Sequence, residues 1–412
     1  MEYYPRKIEK VLEPWMKRRE IIVIKGARQT GKTTLLLHLS KVWKGNYVTL
    51  EDEEIKNALE RDPKIFVKRF GKNKFLFIDE AQYLKNIGKI LKLLFDLYGK
   101  KLKLVVAGSG SFDIKVQVGK YLVGRAIFFE LFPLDFEEFL LWKEKNLYEV
   151  FLEYKKQIFD FIFKGKKIKV KPIFEKEFQQ NLKEYLLYGG FPGIVKEKNK
   201  EIKKELLKNL MRTYLEKDVF FFLGIRHLEK FQNLLRHLAF NSGNILSISG
   251  ISSDLKMDFR TAEDYLNILE QTYIISSLSP FYKNLTTELK KSKKVYLLDE
   301  GLRNSIMGNF LELEKRADQG QILENYIFGE LKKNFEKINY WRTTGGAEID
   351  FILKVKKEIL PIEVKSDGRL TKGFLSFLKN YHPKRAIVFT KKDFALKKIN
   401  KTKIIFIPHF FI

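Results

Sequence analysis

The sequence predicts an α/β chain in three parts: an α/β domain over residues 1–140, helices with a winged helix over 141–285, and a second α/β domain over 286–412. Three observations predict it. A strand-like run, a glycine-rich turn and a helix-like run follow one another from residue 21. A second apolar strand ends in two carboxylates at 79–80. Further on, "INYWRTTGGAEIDFILKVKKEILPIEVKSDG" (338–368) reads as strand, turn, strand, turn, strand.

A length of 412 residues suits two or three domains, each with its own core. No apolar run is long enough to cross a bilayer. The first residues, "MEYYPRKIEKVLEPW", carry charge where a signal peptide needs an apolar stretch, so a cytoplasmic protein is expected. Cysteine is absent, which excludes disulfides and thiolate metal sites. Lys and Arg number 78 against 51 Asp and Glu, a net charge of +27, and the C-terminal third is the most basic. One reading is attraction to a polyanion, most often nucleic acid. The other is a lysine-rich proteome.

Residues 21–25, "IIVIK", read as a buried strand, and "LLLHLSKVW" (35–43) reads as a helix. Between them lies "GARQTGKTT" (26–34), the strand–loop–helix setting that the pattern G-x-x-x-x-G-K-[ST] requires. Gly26 and Gly31 let the backbone wrap phosphates, and the amides of Ala27, Arg28, Gln29, Thr30, Thr33 and Thr34 line that loop and helix start. Lys32 would reach the β- and γ-phosphates of ATP, and the Thr33 hydroxyl would ligate Mg²⁺. About fifty residues on, "KFLFIDEAQ" (74–82) is an apolar strand ending in acids. Asp79 would hold the Mg²⁺ through water, and Glu80 would polarise the attacking water. A third strand, "LKLVVAGSGS" (102–111), ends in small polar residues. Ser109 is the candidate sensor of the γ-phosphate, with Ser111 second. A plain glycine-serine turn is the other reading.

With "YLVGRAIFFELFPLDFEEFL" (121–140), "YLLYGGFPGIV" (185–195), "YLEKDV" (214–219), "KVYLLDEGLRN" (294–304) and "AEIDFIL…IEVK", the chain resembles, nearly end to end, the AAA-type P-loop ATPases of archaea and bacteria that carry a C-terminal domain of long-unassigned function. The resemblance implies ATP with Mg²⁺ and a helical lid after the nucleotide domain. It also places Arg125, in the "GRA" segment, where an arginine would contact the γ-phosphate of a bound or neighbouring nucleotide. The alternative is a surface arginine paired with an acid. A Lys- and Phe-rich stretch, about 145–182, is longer than the resemblance leads one to expect and receives no function.

Residues 131–240 read mostly as helices, with apolar residues at three-and-four spacing, as in "FQNLLRHLAF" (231–240). Residues 245–280 then read as a helix-turn-helix followed by a strand. In the second helix, 258–272, Phe259, Ala262, Leu266 and Leu269 form the expected apolar face. Arg260, Thr261, Glu263, Asp264 and Asn267 are expected to be exposed. The second helix reads either as a DNA-reading element or, since two of its five exposed residues are acids, as a packing module. The lysine-rich "KKSKK" (290–294) leaves looser duplex contact open.

"LPIEVKSDG" (360–368) interrupts an apolar strand with charges that are rarely buried unless paired or metal-bound. A hairpin centred between Lys356 and Lys357 opposes Phe351 to Ile362, Leu353 to Leu360 and Ile349 to Val364. All three apolar pairs then fall on one side. The same register opposes Asp350 to Glu363, with Lys365 two residues on. Two carboxylates about 5 Å apart repel unless a cation lies between them. This arrangement resembles the restriction-endonuclease-like superfamily, whose signature is an acid, then acid-x-lysine across a hairpin. The resemblance implies Mg²⁺ held by Asp350 and Glu363, Lys365 steadying hydroxide or phosphate, and Glu324 of the preceding helix as the extra acid.

The expected molecule is a P-loop AAA-type ATPase domain, a helical lid and winged helix, and a restriction-endonuclease-like α/β domain. ATP is its nucleotide and DNA or RNA its expected partner. A membrane is not expected, and the number of copies is open, a homo-oligomer included. The second reading is a nucleotide switch whose nuclease-like domain only binds.

Overall fold

The computed structural model describes residues 3–108, 121–166, 168, 173–222, 225, 227–281, 292–355, 358–391 and 394–412. Strands β1 (Ile21–Lys25), β2 (Asn46–Thr49), β3 (Phe75–Asp79), β4 (Lys103–Gly108) and β5 (Ala126–Glu130) form one parallel sheet in the order β2-β3-β4-β1-β5. β4 therefore lies between the strand that feeds the glycine loop and the strand that ends in Asp79. β1, β3 and β4 are buried at every position, as central parallel strands covered on both faces must be. Alternate residues serve opposite faces. Ile22, Ile24, Phe77 and Val105 pack with Leu35, Leu36 and Leu39 of helix Lys32–Val42. Val23, Ile78, Leu104 and Val106 pack with Leu91 and Leu94 of helix Ile87–Tyr98.

Helices Phe136–Lys143, Lys145–Lys164, Glu175–Tyr188, Lys200–Thr213 and Leu228–Phe240 follow, the first opened by a capping box of Asp135 and Glu138. Where a winged helix was expected lie helices Ile248–Asp254 and Phe259–Gln271 and an antiparallel pair, β6 (Ile275–Leu278) with β7 (Lys294–Leu297). The expected boundary at 285/286 thus falls inside this hairpin, and β7 belongs with β6 rather than with the last sheet. Ala262, Leu266 and Leu269 are buried as expected, but Phe259 is 50% exposed and Tyr265 takes the inward place. Arg260, Glu263, Asp264 and Asn267 are exposed, and Thr261 is half-buried.

The C-terminal sheet is mixed: β8 (Ile338–Arg342), β9 (Glu348–Val355), β10 (Glu358–Val364), β11 (Arg385–Thr390), β12 (Ala395–Ile399) and β13 (Thr402–Pro408), in the order β12-β13-β11-β10-β9-β8. β9 and β10 pair in the expected register, Phe351 with Ile362 and Leu353 with Leu360. Ile349 departs from expectation. It packs with Ile352 and Trp341 on one face, while Phe351, Leu353 and Val364 pack on the other. Ile349 and Ile352 are three apart, so a regular strand would send them to opposite faces. Between the pairs Asn339–Ile352 and Trp341–Ile349 β8 advances two residues and β9 three, so β9 carries one extra residue, a β-bulge that turns Ile349 to the other face.

The stretch 145–182, which received no function, has a structural role. Phe151, Tyr154 and Phe161 are buried with Phe178 against Phe410 and Phe411, with Tyr154 and Phe411 ring centres 4.4 Å apart. Lid helices and C-terminal sheet share one core.

Candidate functional site: a phosphate-loop and a carboxylate cluster

The loop after β1 turns with Gln29 and Gly31 both at positive φ, 58° and 93°. A side chain at Gly31 would be strained whatever the space. At Gly26 a Cβ would collide with the Leu131 carbonyl. Lys32 opens the next helix, and its Nζ donates to the carbonyls of Gly26 at 3.0 Å and Ala27 at 2.6 Å. Thr30 is buried and donates to the Ala27 carbonyl, whereas Thr33 and Thr34 are exposed on the first helical turn.

β3 and β1 end on the same side of the sheet, which brings the two acids to this loop. Asp79 is buried, and its Oδ2 accepts from the Tyr47 hydroxyl at 3.0 Å. Its Oδ1 accepts the Glu80 amide at 2.9 Å. Glu80 sits at φ 52°, a backbone region that non-glycine residues seldom adopt and that often marks functional sites. Burial and the neighbouring Asp79 push its carboxyl above the usual range, with Lys32 and Arg28 pulling it back. The Gln82 amide donates to Glu80 Oε2. The donor set suits MgATP: hard oxygens from Thr33 and Asp79, an ammonium in the loop, and a carboxylate with a raised pKa beside it.

Two other candidates stand differently. Ser109 and Ser111 lie outside the described residues. Arg125 does not reach the loop of its own chain. Its carbonyl accepts the Ile21 amide at the N-terminal end of β1, while the loop follows the C-terminal end. Four residues of strand, roughly 13 Å, separate the two ends. Its guanidinium instead pairs with Asp96 at 2.9 Å.

Sequence reasoning missed the residues that brace the loop. Arg6 is buried, donates from Nη1 to the Thr30 carbonyl at 2.8 Å, and pairs with Glu138 at 3.0 Å. Its only sequence signal is an arginine in a polar N-terminal stretch. The "YGGFPG" segment also lies on the loop: Tyr188, Phe191 and Ile194 pack with Ala27. The "DEGLRN" segment holds it there. Asp299 accepts the Gly190 amide at 2.7 Å, and Asn304 donates to the Leu186 carbonyl at 2.8 Å.

In the C-terminal domain, Asp350 and Glu363 are both buried and converge on Lys365, whose Nζ lies 3.6 Å from Asp350 Oδ2 and 3.5 Å from Glu363 Oε1. Asp350 Oδ2 also accepts the Val364 amide at 2.8 Å, one step past the last paired rung of β9 and β10. Burial, then the charges of Glu324 and Glu363, push Asp350 well above the carboxylate range. Burial raises Glu363 as well, against the pull of Lys365. Thr371 donates to Glu363 Oε1, while Glu363 Oε2 is buried without a hydrogen-bond partner. An orphaned carboxylate oxygen beside a second acid fits a hard divalent cation. Glu324, on helix Gln319–Asn334, is turned elsewhere: its Oε1 accepts from the Tyr296 hydroxyl at 2.7 Å and from Lys294 Nζ at 3.1 Å. Among the described residues no group of three or more His, Cys, Asp or Glu is arranged to hold a metal ion. Lys294, expected in a solvated lysine run, is 3% exposed.

Among the described residues no helix is long and apolar enough to cross a membrane. Residues 18–140 match a family described as an AAA domain. Residues 179–313 and 319–410 match two domains of unknown function, DUF8612 and DUF4143. An uncharacterized protein of Haemophilus influenzae is 24% identical over 409 residues, 94% of this chain and 93% of that one. Among solved structures, the Aeropyrum pernix ORC1 protein in complex with DNA is 13% identical, covering 74% of this chain and 91% of that one, with a TM-score of 0.28, too slight a likeness to argue from. The uncharacterized protein MJ1544 of Methanocaldococcus jannaschii is 30% identical over 351 residues, 81% of this chain and 72% of that one. At that identity and coverage the chain belongs to the same family as the Methanocaldococcus protein, and within it carries an AAA-type P-loop ATPase domain followed by two domains of unknown function.

Proposed function

We propose that the chain binds MgATP at residues 26–34 and hydrolyses it, and that hydrolysis is coupled to a C-terminal domain acting on DNA or RNA. The observation that carries the ATPase reading is the convergence of Lys32, Asp79 and Glu80 at the C-terminal ends of β1 and β3, with β4 between those strands. Lys32 and the loop amides bind the phosphates, Asp79 orients the metal's water shell, and Glu80 takes a proton from the attacking water. Bound Mg²⁺ would neutralise charge on the phosphate oxygens. The C-terminal reading rests on Asp350, Glu363 and Lys365 meeting across β9 and β10. There a divalent cation would supply Lewis acidity, and Lys365 would steady the phosphate or hydroxide. The net charge of +27 supports a polyanionic partner.

A second reading, a nucleotide switch whose C-terminal domain binds without cutting, is supported by the engagement of Glu324 with Lys294 and Tyr296. Plasmid and single-stranded RNA incubated with Mn²⁺, with and without ATP, separate the two. Cleavage lost in Asp350→Asn supports the nuclease, and intact substrate with every divalent metal leaves the switch.

A further inference from the structure

The carboxylate cluster is not built by the C-terminal domain alone. Lys294 enters it from β7 of the winged helix, and its Nζ pairs with Glu324 Oε1 at 3.1 Å and with Glu348 Oε1. Lys294 is 3% exposed, so its ammonium is buried between two carboxylates. The Tyr296 hydroxyl, two residues on, donates to the same Glu324 oxygen. From a third side the winged-helix loop closes in, since a Cβ at Gly243 would lie 3.3 Å from Glu324 Oε1. The hairpin is tied down where the Phe281 amide bonds to the Tyr340 carbonyl on β8. Glu324, the acid that would complete a three-carboxylate set with Asp350 and Glu363, is thus held by a cation and a hydroxyl of another unit.

We propose that Lys294 is a resident cation of the C-terminal site, competing with a divalent metal for Glu324 and keeping the site two-carboxylate. The proposal rests on the reading that Asp350 and Glu363 bind metal. A lysine ammonium carries one charge on a flexible stem. A divalent ion carries two and needs oxygen ligands on several sides. With Lys294 in place the metal meets two acids, and with Lys294 withdrawn it meets three.

The test is Mn²⁺ binding to the full chain without nucleotide, followed by titration calorimetry and by the spin resonance of free Mn²⁺. Lys294→Met should tighten binding about tenfold or more, one added charged ligand at a divalent site, and Asp350→Asn in that background should abolish the gain. Lys294→Gln, which removes the charge and keeps a polar side chain, should tighten binding by a smaller factor. It carries the test alone should Lys294→Met fail to fold. If the parent binds Mn²⁺ through Asp350 and neither variant binds it more tightly, the competition is overturned and the metal site stands. If neither the parent nor any variant binds Mn²⁺ in an Asp350-dependent way, the metal reading falls, and the proposal with it.

Discussion

Asp299 accepts the Gly190 amide at 2.7 Å through Oδ2 and the Leu302 amide at 2.9 Å through Oδ1. One buried carboxylate therefore caps the helix after the winged-helix hairpin and fixes the loop that packs on Ala27. Asp299→Ala leaves two buried amides without an acceptor, at a cost of about 2–4 kcal/mol. Urea unfolding should show that loss, and ATP titration should show weaker binding. An unchanged urea midpoint would mean the loop finds other acceptors.

Glu80→Gln should bind ATP and hydrolyse it roughly 10²–10⁴-fold more slowly, the usual contribution of an aligned general base. Lys32→Ala should lose tight ATP binding, because the loop loses its ammonium. Phosphate release and fluorescent-nucleotide titration read the two effects. Hydrolysis by Glu80→Gln at the parent rate would remove Glu80 from the mechanism.

Arg6→Ala should destabilise the chain by about 3–5 kcal/mol, because Glu138, itself buried, loses its bidentate partner. The Thr30 carbonyl loses a donor in the same step, so the phosphate loop loosens. The double variant Arg6→Met with Glu138→Leu should recover much of the stability and little of the ATP affinity. Recovery of both would make Arg6 a packing residue only.

Glu300 gives a pH dependence with a definite sign. Burial raises its carboxyl to about 8, against the pull of Arg303, and its Oε2 is buried without a hydrogen-bond partner. The unfolded chain ionises this group near 4.5. The folded state thus holds a proton that the unfolded state releases, and the stability present below about 4.5 is lost as pH rises through about 8. Glu300→Gln should remain neutral and flatten that fall, read as the difference in urea midpoint between parent and variant from pH 5 to 9. Parallel curves would place the titration elsewhere.

Where local pattern decides structure, the sequence was informative. The apolar strands feeding Gly26 and ending at Asp79 announced themselves by composition, and the pairing of Phe351 with Ile362 followed from counting along β9 and β10. Other features depend on partners far away in the chain. Lys294 reads as solvated because its neighbours are lysines, and only the helix carrying Glu324 and the strand carrying Glu348 make it internal. The bulge that sends Ile349 to the other face lies in β9 itself, shows only against the pairing with β8, and has no glycine or proline to mark it. Arg125 lies at the strand end away from the loop of its own chain, paired with Asp96, because a motif gives the order of residues and not which strand end they occupy. Leu147, Phe151, Tyr154, Ile158 and Phe161 did carry a three-and-four spacing, but much of the surface that receives them comes from residues 410–411.

That shared core bears on how the molecule can be divided. The matched families place their borders at 179, 313, 319 and 410. A fragment cut at 313 would uncover Phe151, Tyr154 and Phe178, and the complementary fragment would uncover Phe410 and Phe411. Each half cut there would expose part of that aromatic surface to water, so the family borders do not separate two independent cores. A displacement of helices Lys145–Lys164 and Glu175–Tyr188 would carry β9 and β10 with it through that shared core, so the molecule has fewer joints than its sequence families suggest. Asp350 and Glu363 would then respond to ATP as cargo on the moving body rather than as a distant listener.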